Sequence, residues 1–295
     1  MIFSEYYKHV SCYTGDVRLV FEFKDSEHGL LYYTNDNGEL IKYFDSPYIV
    51  RDRIALSQNP VWNCYKQDFG GRIIVGYKGF WFVCFPSVWS PSVDAIFLID
   101  TVLAREPDLL SNAKSILDFG CGSGVVGIVL SKFSKNLNYL YLLDKNNAAI
   151  ISSVINTFGN GVNDITHVSW LKTMPQQPVD IGVVTPYYFP IIKNRVSDPL
   201  KTIINCGVES ARLVNQTAKV SSTTFFIFSS TTEDSFLSSL KYKYDILGEL
   251  LVPFTLGDNV SSQEFLNVAI GNGMLIEKED TPFKYWHKIY VCKTI

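Results

Sequence analysis

The feature that most constrains the fold of this chain is a run of three alternating glycines between two apolar segments. It lies in the stretch SILDFGCGSG, residues 115–124, and is followed by VVGIVL, residues 125–130. The apolar residues before the glycines predict a buried strand, and those after them recur at helical spacing. Glycine permits positive φ and lets a ligand approach the backbone, because it has no Cβ. The sequence therefore predicts a loop from a strand into the first turn of a helix, a place suited to nucleotide-like ligands.

The same loop has two functional interpretations. LDFGCGSG resembles the first motif of class I S-adenosylmethionine-dependent methyltransferases, in which a strand ends in D/E-x-G-x-G-x-G. Gly122, Gly124 and Gly127 also fit the dinucleotide fingerprint G-x-G-x-x-G. Asp118 favours the methyltransferase, because a carboxylate repels a pyrophosphate and attracts the ammonium group of a methionine moiety. A NAD-linked oxidoreductase and a structural glycine-rich turn are the alternatives.

The next two predicted strands supply further candidate cofactor ligands. Asn138 to Leu143 predicts a buried strand that ends at Asp144, and the resemblance implies that this carboxylate holds both ribose hydroxyls. A third strand precedes Ser169 and Trp170, where the resembling family commonly has an acid or amide against the adenine amine. The implied cofactor is S-adenosyl-L-methionine. The predicted cofactor-binding residues are Asp118, Gly120, Cys121, Gly122, Gly124, Asp144, Lys145, Ser169 and Trp170.

A fourth buried strand, predicted over 179–184, leads into a candidate acceptor loop with the sequence TPYY. The loop resembles the N-P-P-Y/F motif of methyltransferases that act on amide or exocyclic amine nitrogens. Thr185 replaces the asparagine and Tyr187 the second proline, so two-point recognition of an amine is lost. The resemblance therefore implies the place of the acceptor site without its substrate. The predicted catalytic residues are Thr185, Pro186, Tyr187 and Tyr188.

The predicted fold is α/β, a Rossmann-like class I methyltransferase sheet with an antiparallel final strand, preceded by a smaller β-rich lobe. The lobe spans 1–88, with an Asn37-Gly38 hairpin signal, and the methyltransferase domain spans 89–295. In the stretch VWSPSVDAIFLID, Asp94 follows a proline, as in the release-factor glutamine and N6-adenine methyltransferases that the motif layout resembles most. A further helix is predicted from Leu200 to Val214, and the final strand from Tyr285 to Cys292.

Charge and composition bear on partners and compartment. The net charge is −3, from 26 basic and 29 acidic residues, which favours a small-molecule acceptor over a polyanion; a protein amide or a nucleic-acid base is the alternative. A catalytically silent binding module is a further alternative, since the TPYY loop is altered. No apolar run approaches the roughly 20 residues that cross a bilayer. Six cysteines without a C-x-x-C pair predict reduced thiols, a cytoplasmic protein and no metal site.

Overall fold

The computed structural model describes residues 9–23, 29–44, 58–59, 64–69, 72–85, 88, 91, 93–171, 174–186, 208–229, 234–253, 276–278 and 281–294. Within these ranges, strands form two small antiparallel sheets and one large sheet. The strands of the small sheets are β1 (His9–Thr14), β2 (Val17–Phe23), β3 (Gly29–Thr34), β4 (Leu40–Phe44), β5 (Gln58–Asn59), β6 (Cys64–Phe69), β7 (Arg72–Tyr77) and β8 (Phe80–Cys84). The strands of the large sheet are β9 (Ser115–Phe119), β10 (Tyr139–Asp144), β11 (Thr166–Trp170), β12 (Val179–Val184), β13 (Ser221–Ser229), β14 (Asp245–Pro253), β15 (Ile276–Lys278) and β16 (Thr281–Lys293). The helices are α1 (Val93–Arg105), α2 (Pro107–Asn112), α3 (Val125–Phe133), α4 (Asn147–Gly159), α5 (Val208–Val220) and α6 (Asp234–Ser238).

The order of strands in the large sheet confirms the predicted fold class. The order is β11-β10-β9-β12-β13-β16-β14, with β15 paired to β16. The first five strands are parallel to their neighbours, and β16 is antiparallel to both β13 and β14. The chain moves outward from β9 through β10 to β11 and then crosses back to β12. The direction therefore reverses between β9 and β12, and open α/β sheets bind ligands at the carboxyl ends of the strands at such a point.

Helices cover the large sheet on both faces. Apolar residues of α1, α3 and α4 form one buried cluster with the sheet, while α5 and α6 form a second cluster on the opposite face. The first cluster also contains buried residues of the N-terminal sheets, among them Leu19, Tyr33 and Phe82. The two small sheets thus share a core with the α1 face of the large sheet. The division at residue 88 stays a prediction.

Two tight turns shape the N-terminal sheets. The predicted turn at Asn37-Gly38 is confirmed between β3 and β4, with Gly38 at φ 80°. A second hairpin joins β7 to β8 through Lys78 and Gly79, whose φ angles are 50° and 84°. Positive φ at both residues of a two-residue loop matches the twist of the flanking strands.

Polar side chains of α4 and of its C-cap residue bind the free edge of β8, which is the last strand of its sheet. The side chains lie one helical turn apart, and their partners are alternate residues of β8 and the residue that follows it. The pairs are Asn160 with Trp81, Asn156 with Val83, and Ser152 with Phe85. Both asparagines also donate to the carbonyl of the residue from which they accept, at 2.9 and 3.0 Å. The helix therefore satisfies backbone groups that an edge strand leaves unpaired.

Some predicted boundaries are wrong. The final strand, predicted from Tyr285 to Cys292, is longer and spans Thr281–Lys293. The helix predicted to end at Val214 continues to Val220, and residues 200–207 lie outside the described part of the chain. The polar stretch after Val214 concealed this turn. Thr217 is buried, and its hydroxyl donates to the Leu213 carbonyl within the helix, so a polar residue faces the core at no cost in hydrogen bonding. Its methyl group fits against Gly182 of β12, where a Cβ would lie 2.4 Å away.

Candidate cofactor and acceptor site

The glycine loop folds over the end of β10. The amides of Gly120 and Cys121 both donate to the carbonyl oxygen of Leu143, at 2.8 and 3.1 Å. Gly120, Gly122 and Gly124 have φ angles of 80°, 55° and 79°, in the region that favours glycine. A Cβ built on Gly120 or Gly122 would meet no atom within 4 Å. The outer side of the loop is therefore open, and a ligand can lie against its backbone.

Asp144 ends β10, and its carboxylate binds an amide of the glycine loop. Its side chain is 5% exposed, and its Oδ2 accepts from the Gly122 amide at 2.9 Å while its Oδ1 accepts from the Asn146 amide at 2.8 Å. Burial raises the pKa of this carboxyl, and the backbone amides and the charge of Lys145 oppose the shift. Each carboxylate oxygen can accept more than one hydrogen bond, so the group fits a ribose diol.

Asp118 lies inside the same strand–loop–helix unit. Its side chain is 1% exposed, and its Oδ2 accepts from the Gly127 amide at 2.8 Å. Gly124 is the residue before α3 and has no side chain to cap the helix. Asp118 therefore satisfies an amide of the first turn of α3 from the preceding strand, and its charge is favourable at a helix N-terminus. The structure thus gives Asp118 a structural partner in addition to the cofactor role that the sequence predicts.

The two carboxyls make this site electrostatically unusual. Burial raises the pKa of Asp118 to about 7; the Gly127 hydrogen bond opposes this shift, and the charge of Asp144 adds to it. Asp118 is thus close to half protonated near neutral pH. A cation bound beside both groups would favour their charged forms. A sulfonium or an ammonium group fits this requirement, whereas a pyrophosphate does not.

The raised pKa of Asp118 predicts that cofactor affinity falls with acidity. A cationic ligand favours the carboxylate, so below pH 7 the protein must release a proton on binding. S-Adenosylmethionine affinity should therefore decrease from pH 7.0 to pH 5.5, by at most about tenfold per pH unit. Calorimetry in buffers of different ionisation enthalpy measures both the affinity and the released proton. An affinity that does not change over this range would contradict the prediction.

Asp118→Asn and Asp118→Ala separate the charge from the helix cap. Asparagine retains an oxygen for the Gly127 amide, so Asp118→Asn should bind the cofactor weakly and without this pH dependence. Because the folded-state pKa is raised, the stability that Asp118 contributes declines as pH rises from 3.8 to about 7. At pH 8, Asp118→Asn should therefore be at least as stable as the wild type. Asp118→Ala should be less stable, because the amide loses its acceptor.

Cys121 and Lys145 occupy opposite environments. The Cys121 side chain is buried, with its Sγ 3.4 Å from Ser153 Oγ, and burial together with the two aspartates raises its pKa well above the usual range. The thiol therefore stays protonated and supports the loop from inside. Lys145 is exposed beside Asp144. Their roles toward a cofactor remain predictions.

Ser169 and Trp170 belong to β11 itself and do not follow it as predicted. Ser169 is fully buried, and its hydroxyl donates to Oδ2 of Asp16 in the N-terminal sheet at 2.6 Å. Trp170 lies opposite Asp144 in the parallel register, and its Nε1 donates to Oδ1 of Asn147 at 2.9 Å. The end of β11 thus lies beside the expected ribose site. The sequence did not indicate that Asp16 and Asn147 would bind the side chains of these two β11 residues.

The described part of the acceptor loop is short. Thr185 is half-buried and Pro186 is buried, directly after β12 and next to the strand that carries Asp118. This is the side of the reversal point that the sequence predicts for the acceptor. Tyr187 and Tyr188 lie outside the described residues. The catalytic assignment of all four residues stays a prediction.

A buried histidine is a further polar group near this edge. His287 lies on β16 opposite Ser229, the last residue of β13, and its side chain is fully buried. Burial lowers its pKa to about 4, and the charge of the nearby Asp94 on α1 opposes this shift. His287 is therefore neutral at physiological pH. The pattern of apolar and polar residues in the final strand did not predict a buried histidine at this position.

Comparison with known proteins relates part of the chain to a known family. Residues 94–195 match a family model described as methyltransferase small domain. This segment is therefore similar to a methyltransferase domain. The match extends from α1 through the glycine loop and Asp144 to the TPYY loop, and it confirms the resemblance to class I methyltransferases and their cofactor, S-adenosylmethionine. The likeness to the release-factor glutamine and N6-adenine group stays a prediction.

Solved structures resemble the chain weakly. The T. thermophilus 16S rRNA methyltransferase RsmC, solved with AdoMet and guanosine, is 12% identical with a TM-score of 0.46, over 94% of this chain and 58% of that one. A precorrin 8w decarboxylase of Methanobacterium thermoautotrophicum is 16% identical with a TM-score of 0.40, over 72% and 97% of the two chains. A candidate S-adenosylmethionine-dependent methyltransferase of Streptococcus mutans is 10% identical with a TM-score of 0.45, over 77% and 56%. No curated protein sequence matches the chain.

Two further observations concern the described residues as a whole. Among the residues that the structure describes, no helix is long and apolar enough to span a membrane. In the same ranges, no group of three or more His, Cys, Asp or Glu residues is arranged to hold a metal ion. The acidic groups that bind amides of the glycine loop and of the following helix are the carboxylates of Asp144 and Asp118, which fit an organic cation with a ribose.

Proposed function

We propose that this protein transfers a methyl group from S-adenosylmethionine to an acceptor that lies beside the TPYY loop. The observation that carries the proposal is the pair of buried carboxyls, Asp118 and Asp144, on either side of an open glycine loop. Both lie in the segment that matches the methyltransferase family. The arrangement supports a cation and a ribose diol together, and S-adenosylmethionine contains both.

Each cofactor-binding residue has a proposed task. Asp144 accepts hydrogen bonds from the ribose hydroxyls, and each charge-assisted bond contributes roughly 1.5–3 kcal/mol. The backbone of Gly120 to Gly124 lies against the methionine moiety, whose ammonium group is attracted by Asp118. Trp170 and Ser169 lie at the adenine side, and Lys145 borders the adenosine.

The reaction needs positioning more than acid–base assistance. The acceptor nucleophile forms a bond to the methyl carbon as the bond from that carbon to sulfur breaks. The electron pair stays on sulfur, the acceptor loses its proton to solvent or a nearby base, and a neutral thioether leaves. The positively charged sulfur supplies an excellent leaving group, so aligning the two reactants can provide roughly 7–11 kcal/mol of the barrier reduction. Thr185, Pro186, Tyr187 and Tyr188 are proposed to hold the acceptor in line.

The proposed acceptor is a small molecule. The net charge of −3 supports this choice, since a polyanion partner favours a basic surface. A protein amide or a nucleic-acid base is the alternative, and the order of strands in the sheet is compatible with each. Among the residues that the structure describes, Cys84, Cys121 and Cys292 are buried thiols outside any disulfide, and they support the proposal of a reducing, cytoplasmic location.

Ligand binding and product release test the proposal. Calorimetry should show micromolar binding of S-adenosylmethionine and S-adenosylhomocysteine and no binding of NAD. A screen for release of S-adenosylhomocysteine, run separately with metabolite pools, peptides and RNA, then identifies the acceptor class. Binding of NAD alone would favour an oxidoreductase and overturn the proposal. Cofactor binding without turnover in any pool would favour a silent binding module.

Tyr188 provides a test of the acceptor site. Tyr188→Ala should lower turnover at least tenfold, because it removes the aromatic that would stack on a flat or apolar acceptor; cofactor affinity and melting temperature should stay near wild type. Tyr188→Phe should retain activity if stacking matters, and lose it if the hydroxyl donates a hydrogen bond or acts as a base. Full activity of Tyr188→Ala, or its unfolding, would place the acceptor elsewhere, with the N-terminal aromatics as the next candidates.

A further inference from the structure

The first N-terminal sheet contacts the edge of the large sheet at the adenine end of the proposed cofactor site. The turn between β1 and β2 consists of Gly15 and Asp16, and the Asp16 amide donates to the Val168 carbonyl at 3.1 Å. Gly15 has φ 63°, and a Cβ on it would lie 2.4 Å from the Val168 amide nitrogen. The turn therefore packs so closely against β11 that there is no room for a side chain at Gly15.

The Asp16 carboxylate fixes two further residues of β11. Its Oδ2 accepts from Ser169 Oγ at 2.6 Å and lies 3.3 Å from Nε2 of His167. Ser169 is fully buried, so its hydroxyl needs a partner, and a carboxylate is a strong one. The position at which the resembling family has its own acid or amide is here a serine that is bound to an acid from another sheet.

The same N-terminal sheet also contacts Trp170 indirectly, because the Asn147 side-chain amide binds both Tyr33 and Trp170. Nδ2 of Asn147 donates to the Tyr33 hydroxyl at 3.0 Å, and Oδ1 of Asn147 accepts from Trp170 Nε1 at 2.9 Å. Tyr33 is 7% exposed and Trp170 is 9% exposed. Because the Asn147 amide is bound at both ends, it cannot flip without losing both hydrogen bonds. The plane of the indole is therefore tied to β3 of the N-terminal sheet.

These contacts converge on the place where the adenosine is expected. Trp170 is opposite Asp144 in the register of β10 and β11, and Asn147 is the first residue of α4, three positions after Asp144. Asp144 is the proposed ribose ligand. The backbone of Trp170 thus lies one strand spacing from that ligand, on the side toward the sheet edge.

We propose that the β1–β4 sheet contributes to the cofactor site, in which Tyr33 and Asp16 position Trp170 and the end of β11 beside the adenine. This inference rests on the proposed function, since it assumes an adenosine-containing cofactor. Tyr33, Asn147 and Asp16 are positioning residues and do not themselves touch the reacting atoms. The N-terminal lobe then serves cofactor binding as well as any role toward the acceptor.

Tyr33→Phe tests the proposal in the full-length protein. The variant should bind S-adenosylhomocysteine about 2- to 10-fold more weakly, the effect of one lost hydrogen bond. The indole N–H resonance of Trp170, assigned with Trp170→Phe, should shift in Tyr33→Phe before any ligand is added. Tyr139→Phe is the matched control, because Tyr139 lies on β10 of the large sheet with its side chain 59% exposed, and removal of its hydroxyl should change neither readout.

The possible outcomes separate this inference from the proposed function. Wild-type affinity together with an unmoved Trp170 resonance in Tyr33→Phe would overturn it, and so would an affinity loss without movement of that resonance. If the wild type does not bind S-adenosylhomocysteine, the proposed function fails instead. Should Tyr33→Phe fold poorly, Asp16→Ala takes its place and should weaken S-adenosylhomocysteine binding; wild-type affinity of that variant would overturn the inference.

Discussion

Asp144→Ala should weaken binding of S-adenosylhomocysteine by about 10- to 1000-fold, because it removes charge-assisted hydrogen bonds from the ribose. It also deprives the Gly122 and Asn146 amides of their acceptor, so the glycine loop loses its support. Calorimetry measures the loss in affinity. Asp144→Asn is the matched control, since it keeps the shape and one oxygen acceptor and should lie between the wild type and the alanine variant.

A second ligand shows whether Asp144 acts on the ribose. The wild type should prefer S-adenosylhomocysteine to its 2′-deoxyribose analogue, and this preference should disappear in Asp144→Ala. If both proteins discriminate equally, Asp144 supports the loop without contacting the sugar. An unchanged affinity for S-adenosylhomocysteine in Asp144→Ala would move the ribose site elsewhere.

Gly127→Ala should destabilise the protein by about 1–3 kcal/mol, the usual cost of an overpacked core. A Cβ on Gly127 would lie 2.7 Å from Leu142 Cδ2 and 2.9 Å from Asp118 Cβ, so α3 could not remain at its present distance from the sheet. Displacement of the helix would also separate Asp118 from the Gly127 amide, and cofactor affinity should fall with stability. Urea denaturation measures the change in the free energy of unfolding.

Gly159→Ala is the matched control for this substitution. Gly159 is the last residue of α4, and a Cβ on it would meet no atom within 4 Å. Alanine there should stabilise the protein by up to about 1 kcal/mol, since it restricts the unfolded chain. Equal effects of the two substitutions would show that the close contact at Gly127 carries no energetic weight.

The large sheet could be predicted from the sequence because each strand is a short apolar run that ends at a recognisable residue. Asp144 illustrates this: it follows five apolar or aromatic positions, and the structure ends β10 there. The glycine loop was predictable for the same reason, since three glycines with positive φ have few other uses between a strand and a helix. Both signals are local in sequence.

The partners of the site residues could not be predicted in this way. Ser169 binds a residue 153 positions away, and Asn147 binds one 114 positions away. Hydrophobic periodicity carries no information about such pairs, because it reports the face of an element and not its neighbour. Asp118 was predicted only in part. Its charge indicated a cationic ligand, but its hydrogen bond to Gly127 depends on the position of the first turn of α3, which the sequence does not give.

The asparagine pairing between α4 and β8 has a consequence for self-association. An edge strand with unpaired backbone groups is a template on which a second chain can add a strand. Asn156 closes this edge at Val83, and its Nδ2 also donates to the Ser123 carbonyl in the glycine loop at 2.8 Å. The same side chain thus joins the glycine loop to the protected edge, and a loop that moves away leaves Asn156 with Val83 as its partner in this row. We therefore expect a cofactor that holds the loop in place to lower the tendency of the protein to aggregate.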